Sequence, residues 1–219
     1  MRIIDLTGLI EEGMWTYGSP LPEVSIRKLI HKNGVVSYAI TLGSIAGTYL
    51  ETAAHWFENA PSLDDVPPER LITDAVVVKL RAKGPLEHIE LDELSPYKSK
   101  VRKGDALLVS TSWDSKWHEG NFISGSPHFS KEAMDWVLDR KISILGGDIP
   151  CYDDPSKSEG LVKKLFSSGI LILAPLINLR KIMRERVKLM ALTPRIKGTC
   201  AFPCRALAIE GYGRKSRHL

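Results

Sequence analysis

The sequence is poor in the residue that builds disulfide frameworks. Its 219 residues include only three cysteines. Three cysteines, Cys151, Cys200 and Cys204, are too few for the cross-linked fold of a small secreted protein. Cys200 and Cys204 also lack the second pair of ligands that a structural zinc site needs. A disulfide between these two residues stays open as an alternative.

Long apolar runs and a strong charge bias are missing as well. No apolar run approaches the ~18 residues of a membrane-spanning helix, and no small-residue cleavage site follows the opening "MRIIDLTGLI" as it would in a signal peptide. The 30 Lys and Arg against 26 Asp and Glu leave a net charge of +4. The excess lies in "LRKIMRERVK" and the tail, without the interleaved aromatics of nucleic-acid readers. We therefore expect a cytoplasmic protein with neither membrane nor nucleic-acid partners.

Short β-branched and apolar runs recur along the chain, each bounded by Gly, Pro, Asp or Ser, as is typical of strands. The runs are "RIID", "VSYAITL", "DAVVVKL", "DALLVST", "ISILGGD", "GILILAPL" and "CRALAIE". The spacing of apolar residues after Ser130 predicts a helix over 131–140, and "SEGLVKKLFSSG" predicts a second one. Each helix precedes an apolar run, so we expect an α/β fold with parallel strands in the C-terminal half. The prediction is a single domain over residues 1–219 with a flexible basic tail at about 212–219.

The stretch "GTYLETAAH" carries the first candidate chemistry. Gly47 permits a tight turn and a close approach of the backbone to a ligand. If the segment is extended, Glu51 and His55 point to one face, because strand side chains alternate. A carboxylate and an imidazole on one face bind a divalent metal or act as an acid–base pair, although a simple hydrogen-bonded pair is the alternative.

The order of motifs along nearly the whole chain resembles the metal-dependent cyclase family, which includes bacterial kynurenine formamidase and isatin hydrolase. The opening "IIDLTGLIEEGMWTYGSPLPEV" is similar to the family's first strand and turn, and "GTYLETAAHWF" occupies the place of its His-x-Gly-Thr-His-x-Asp-x-Pro-x-His motif. "LLVSTSWDSKW", "SPHFSKEAMDWVLDRKISILGGDIPCYDDP", "GILILAPLINL" and "RIKGTCAFPCRALAI" resemble the later elements. The resemblance implies the swivelling β/β/α fold and a homodimer or homotetramer.

The same resemblance implies a metal site in which several ligands have been replaced. The family's metal-binding aspartate and last histidine fall on Glu51 and His55. The other ligand positions fall on Ile45, Tyr49, Val162 and Ala174. Isoleucine, valine and alanine cannot bind a metal, and a phenol with a pKa near 10 is a poor ligand. We therefore expect at most one divalent ion, zinc or manganese, at Glu51 and His55, and not the usual two-metal centre.

Further residues are assigned provisional roles. Thr48, Tyr49, Trp113 and Asp148 are candidate substrate-binding residues, with a turn-forming role as the alternative for Asp148. A histidine of the loop after "STSW" or of a neighbouring chain, His118 or His128, is a candidate replacement ligand. Cys151 is a candidate nucleophile without an identifiable base, and Trp15 and Trp117 are candidates for an aromatic wall or for core packing.

Two functions of different classes follow. The first is a hydrolase of a small amide or lactam-like C–N bond, similar to kynurenine formamidase. In this function Glu51 and His55 bind one metal or activate water directly. The second is a catalytically silent family member that binds a small molecule or regulates a partner without metal.

Overall fold

A computed structural model describes residues 1–212 of the chain. The basic tail, which we expect to be flexible, lies outside the described residues from position 213 onward. The longest helix in the described part has nine residues, whereas a bilayer span needs about 20. None of the helices between residues 1 and 212 is therefore able to cross a membrane.

Thirteen strands form within residues 1–212, and nine of them make one sheet in the order β1-β13-β11-β5-β7-β9-β10-β4-β12. Every apolar run that predicts a strand coincides with one. The strands are β1 Arg2–Asp5, β2 Ser25–Ile30, β3 Val36–Thr41, β4 Tyr49–Glu51, β5 Ile72–Lys79, β6 His88–Ile89, β7 Ala106–Ser110, β8 His128–Phe129, β9 Ile144–Gly147, β10 Leu171–Ala174, β11 Arg186–Leu192, β12 Ala201–Pro203 and β13 Arg205–Glu210.

The centre of the sheet is parallel, from β5 through β7 and β9 to β10. The strands on both sides pair antiparallel. The prediction of an α/β fold with parallel strands toward the C-terminus is thus confirmed. β11 and the short strand β12 were not anticipated, because "RVKLMAL" alternates charged and apolar residues within a basic segment and "AFP" is too short to stand out.

Both faces of the central sheet are buried, which explains its nearly continuous apolar runs. Alternate residues of one strand enter two different cores. Val76 and Val78 of β5 face the core that includes Trp113, whereas Val77 faces the core that includes Leu50. The first of these cores also receives the helices that follow β8 and precede β10.

Four α-helices are short: α1 Pro68–Leu71, α2 Leu91–Leu94, α3 Lys131–Asp139 and α4 Leu161–Ser167. α3 begins where the sequence predicts, because the Ser130 side chain accepts a hydrogen bond from the backbone N–H of Ala133. Both predicted helices are confirmed, and both bury their apolar faces on the side of the sheet that carries the pocket described below. β2 and β3 form a separate two-stranded hairpin.

Candidate functional site

The segment with the candidate carboxylate and histidine changes conformation in its middle. β4 ends at Glu51, and residues Ala53–His55 form a 3-10 turn. Thr52 causes the change, because its hydroxyl accepts a hydrogen bond from the N–H of Ala54 and caps the turn. The segment is therefore extended only as far as Glu51. The two side chains still meet, because the turn folds His55 back toward the strand end.

Glu51 and His55 form one hydrogen-bonded unit. The distance from Glu51 Oε1 to His55 Nδ1 is 3.0 Å, with the carboxylate almost fully buried and 38% of the histidine side chain exposed. The hydrogen bond to Glu51 raises the pKa of His55, and partial burial opposes this increase. A carboxylate at Nδ1 holds the proton on that nitrogen, so the neutral ring presents the lone pair of Nε2. No side chain or backbone group within residues 1–212 forms a hydrogen bond with Nε2.

A thiol that the sequence analysis did not single out lies beside this pair. Cys200 Sγ is 3.6 Å from His55 Nδ1, and the Cys200 carbonyl accepts hydrogen bonds from both the N–H and the hydroxyl of Thr52. Burial and the negative charge of Glu51 raise the pKa of the thiol. Cys200 is therefore a protonated neighbour of the imidazole. All three cysteines are free thiols, so no disulfide joins Cys200 to Cys204.

An open pocket of about 360 Å³ contains both members of the pair. It also contains three of the positions where the resemblance places metal ligands, namely Ile45, Tyr49 and Val162. Ala174 does not line the pocket and is fully buried. Ile172 lines it instead and lies opposite Glu51 in the pairing of β10 with β4. The assignment of a family ligand position to Ala174 stays a prediction.

Two phenols form a polar wall of the pocket. Tyr17 donates a hydrogen bond to the carbonyl of Pro150 at 2.9 Å, so its oxygen accepts the proton of Tyr49, also at 2.9 Å. Burial raises the pKa of both phenols well above 10. Both are therefore neutral donors at physiological pH, and Tyr49 is not available as a phenolate ligand.

The donors in the pocket do not fit the two-metal centre of the family. Glu51 uses Oε1 to bind His55, and Ile45, Val162 and Ile172 present only hydrocarbon. Across the part of the chain that is described, no three His, Cys, Asp or Glu side chains are grouped as a metal ion would need. A catalytic zinc site needs three protein ligands, whereas Glu51 and His55 are two.

Two candidate substrate-binding residues have structural partners instead. Thr48 is fully buried, accepts a hydrogen bond from the N–H of Gly8 and donates one to the carbonyl of Pro175. It joins the beginning of β4 to two other segments and does not line the pocket. Asp148 follows β9 and is also fully buried, and burial raises its pKa to about 6.

The carboxylate of Asp148 accepts hydrogen bonds from the loop after β7, including both backbone and hydroxyl donors of Thr111. Further donors to the same carboxylate are the Ser110 hydroxyl and the N–H of Ser112. The turn-forming alternative therefore describes Asp148 better than substrate binding does.

The tryptophans and loop histidines are also placed away from the pocket. Trp113 is buried, and its indole N–H donates to the carbonyl of Phe122. His118 is exposed beside Glu11, at 3.4 Å from its carboxylate. His128 is buried beside His88, with the two ring centroids 4.6 Å apart. Neither histidine completes the Glu51–His55 pair within one chain.

Of the remaining candidates, one lines the pocket and two pack in the hydrophobic core. Cys151 lines the pocket, but burial raises its pKa to about 12, so it is no thiolate nucleophile. Trp15 and Trp117 pack edge to face with centroids 5.2 Å apart, outside the pocket. Sequence reasoning missed Tyr17 and Trp56 as pocket residues. The motif "WTYGSP" was available as a signal for Tyr17, whereas nothing in the sequence marks Trp56.

The comparisons with known proteins agree with this architecture. The model of the Cyclase family, described as "Putative cyclase", matches residues 4–154. No curated protein matches the sequence significantly. The fold is similar to isatin hydrolase A from Ralstonia solanacearum, with a TM-score of 0.80 and 20% identity over 95% of this chain and 92% of that one.

Two further solved structures are similar. Isatin hydrolase A from Labrenzia aggregata, bound to benzyl benzoate, has a TM-score of 0.84 and 20% identity over 94% of this chain and 93% of its own. A predicted metal-dependent hydrolase from Bacillus stearothermophilus has a TM-score of 0.77 and 21% identity over 94% and 97%. The expected cyclase-like fold is thereby confirmed, and the family match covers more than half of the sequence. The chain belongs to the Cyclase family.

Proposed function

We propose that this protein hydrolyses a small amide or lactam-like C–N bond with the Glu51–His55 pair as its general base. The observation that carries the proposal is the 3.0 Å contact between Glu51 Oε1 and His55 Nδ1, in a pocket where no group of residues 1–212 forms a hydrogen bond with Nε2. A carboxylate that fixes the tautomer of a histidine is the arrangement by which hydrolases direct a basic nitrogen at the reacting group.

His55 takes a proton from water at Nε2 while the water attacks the substrate carbonyl. Glu51 stabilises the imidazolium that forms, because its charge lies at the opposite end of the ring. The proton then passes from Nε2 to the leaving nitrogen as the C–N bond breaks. General-base catalysis of this kind contributes about 10²–10⁴-fold in rate.

Tyr49 supplies the hydrogen-bond donor for the developing oxyanion. Its O–H points at the oxygen of Tyr17, and a rotation about the C–O bond turns it toward a bound carbonyl. Tyr17 stays fixed by the Pro150 carbonyl. The raised pKa of Tyr49 keeps the proton on the phenol at neutral pH.

The lining of the pocket favours an uncharged, mainly apolar substrate. Ile45, Val162, Ile172 and Trp56 provide hydrocarbon and an indole ring, and neither Lys nor Arg is present among the lining residues. A substrate carboxylate would find no cation there and would face Glu51, Asp153 and Asp154. Isatin-like lactams therefore fit the lining better than acidic amides do.

A single divalent ion at Glu51 and His55 is the alternative form of the same function. The Bacillus stearothermophilus protein is described as metal-dependent, which supports it. The Oε1–Nδ1 contact disfavours it, because an ion bound between the two side chains has to break that contact.

The test is hydrolysis of a panel that contains isatin, N-formylkynurenine and neutral aryl amides, by protein prepared without an affinity tag. We expect turnover that persists after dialysis against a chelator and that falls by about 10²–10⁴-fold in His55→Ala. Activity that disappears on chelation and returns with zinc or manganese would show the one-metal form. Absence of turnover across the panel would contradict the hydrolase.

The second candidate function is small-molecule binding without catalysis. It is favoured by one observation: apolar Ile45 and Val162, at two positions where the resemblance implies metal ligands, line the pocket together with Ile172. A ligand that binds in the pocket, quenches Trp56 fluorescence and is recovered unchanged would support this function.

The proposal includes assembly as a homodimer or homotetramer. The hairpin of β2 and β3 exposes Ile30, Tyr38 and Ile40 on one face, each more than half accessible. Light scattering that gives a monomer mass of 24.4 kDa at micromolar concentration would contradict the assembly.

A further inference from the structure

A second cavity of about 350 Å³ lies beside the pocket and contains two histidines. His88 of β6 and His128 of β8 are direct neighbours in the parallel pairing of these two strands. Their ring centroids are 4.6 Å apart at an interplanar angle of 66°. The strand pairing therefore holds two imidazoles side by side, independently of the Glu51–His55 pair.

In both histidine rings an oxygen atom of another residue lies near Nδ1. His128 Nδ1 is 3.4 Å from the carbonyl oxygen of Ser126, which can only accept, so the proton belongs on Nδ1. His88 Nδ1 is 3.6 Å from Glu90 Oε1, a charge contact that favours the same tautomer. Metal-binding histidines are oriented in this way, with an acceptor at one nitrogen and the ion at the other.

His128 is the stronger indication of a ligand. Its side chain is 96% buried, since its relative exposure is 4%, and it nevertheless lines the cavity. No hydrogen-bond partner for its Nε2 is found within residues 1–212, and this nitrogen is not among the fully buried side-chain atoms that lack a partner. The lone pair of Nε2 is therefore accessible from the cavity, where an ion can bind it.

The charge of the cavity favours a cation. Its lining includes five acidic residues and one lysine: Glu90, Glu132, Asp153, Asp154, Glu159 and Lys131. Imidazole nitrogen is the ligand type that zinc, nickel and copper prefer, whereas magnesium and calcium prefer oxygen. Bonds of about 2.0–2.1 Å from zinc to imidazole nitrogen allow two rings this close to share one ion.

We propose that His88 and His128 bind a divalent transition-metal ion of the zinc, nickel and copper class through their Nε2 atoms. Water or a carboxylate of the cavity completes the coordination. The site supplies only two protein nitrogens. This agrees with the absence, within residues 1–212, of any group of three His, Cys, Asp or Glu side chains that could hold a metal ion. It is therefore an open, exchangeable site and not a structural zinc.

The experiment is calorimetric titration of the untagged, metal-free full chain with zinc chloride, followed by visible absorption of the cobalt-loaded protein. We expect one ion per chain, with affinity reduced by at least about tenfold in both His88→Ala and His128→Ala. His31→Ala is the matched control, because His31 is an exposed histidine of the β2–β3 hairpin, and it should bind as the wild type does. Zinc should also raise the melting temperature of the wild type but not of His88→Ala, because the ion binds the folded state.

His88→Ala is the decisive variant, because about half of the His88 side chain is exposed and its removal leaves the core intact. His55→Ala separates this proposal from the proposed function. Loss of zinc binding in His55→Ala together with full binding in His88→Ala would overturn the histidine-pair site and place the ion in the other pocket. Absence of saturable binding to the wild type would overturn it as well, without bearing on chelator-resistant hydrolysis.

Discussion

Replacing Glu51 by glutamine tests whether the carboxylate controls His55. Glutamine keeps the size of the side chain and removes its charge. The contact at stake is the 3.0 Å hydrogen bond to His55 Nδ1. Because this bond is the largest cause of the raised pKa of His55, we expect the pKa to fall in Glu51→Gln. Partial burial, which persists in the variant, then lowers the pKa further.

The same substitution should also make the free energy of unfolding depend on pH in a predictable direction. A histidine whose pKa is raised in the folded state stabilises it fully below the unfolded pKa of about 6.5. That contribution disappears as pH rises through the higher folded pKa. A hydrogen bond to a charged group contributes ~1.5–3 kcal/mol, and exposure of 38% of the histidine side chain screens it. The variant should therefore lose about 1 kcal/mol more free energy of unfolding at pH 5.5 than at pH 8.5.

The assay combines histidine NMR titration with urea unfolding at the two pH values. The control is Glu69→Gln, an exposed glutamate of α1, which should leave the His55 titration unchanged. Where turnover is measurable, the pH–rate profile of Glu51→Gln should also shift to lower pH, because the base is active only when unprotonated. An unchanged His55 pKa in Glu51→Gln, or a larger stability loss at pH 8.5, would refute the reasoning.

Three further predictions rest on single contacts. Tyr49→Phe should lower kcat by about 10²–10³-fold, as loss of an oxyanion donor does, whereas Tyr17→Phe should lower it less. An equal kcat in Tyr49→Phe and the wild type would contradict the donor role. Gly47→Ala should lower the free energy of unfolding in urea by about 2–4 kcal/mol, because φ is +64° and the new Cβ would lie 2.6 Å from Ile10 Cγ1. The control Gly34→Ala, at φ +82° in open space, should lower it by only about 1–2 kcal/mol. Equal losses in the two variants would argue against the contact with Ile10. Asp148→Asn should lower the free energy of unfolding by about 1–3 kcal/mol, because an amide group replaces an oxygen that accepts hydrogen bonds from backbone N–H groups. A loss below about 0.5 kcal/mol would contradict the structural role of Asp148.

Much of the fold was predictable because its strands are buried on both faces. β7 is buried at every position, and its apolar run "ALLV" is recognisable for that reason. The ends of the sheet were harder. β12 has three residues, and its place beside β4 depends on pairing with a segment about 150 positions earlier. Long-range pairing of this kind leaves no periodicity in the sequence.

The site was predictable to the extent that it is local. Glu51 and His55 are four residues apart, and the turn after the strand brings their side chains into contact. Cys200 could not be found in this way, because it reaches His55 through the pairing of β12 with β4. For Thr48 and Asp148 the residue type was not enough to reveal their structural partners. The same residue types occur as buried, hydrogen-bonded side chains and as substrate-binding side chains. Only the contacts in the folded structure distinguish the two roles.

The apolar residues that line the pocket beside Glu51 affect how the Glu51–His55 pair functions. Ile172 lies directly opposite Glu51 in the sheet, and Ile45 and Val162 line the same pocket. A polar side chain at any of these three positions would be buried beside Glu51 and would need a partner of its own. Hydrocarbon at all three positions avoids that cost. It also lowers the local polarity, which strengthens the hydrogen bond between Glu51 and His55. The apolar lining thus favours a tight carboxylate–imidazole pair, which is the arrangement that the proposed general base requires.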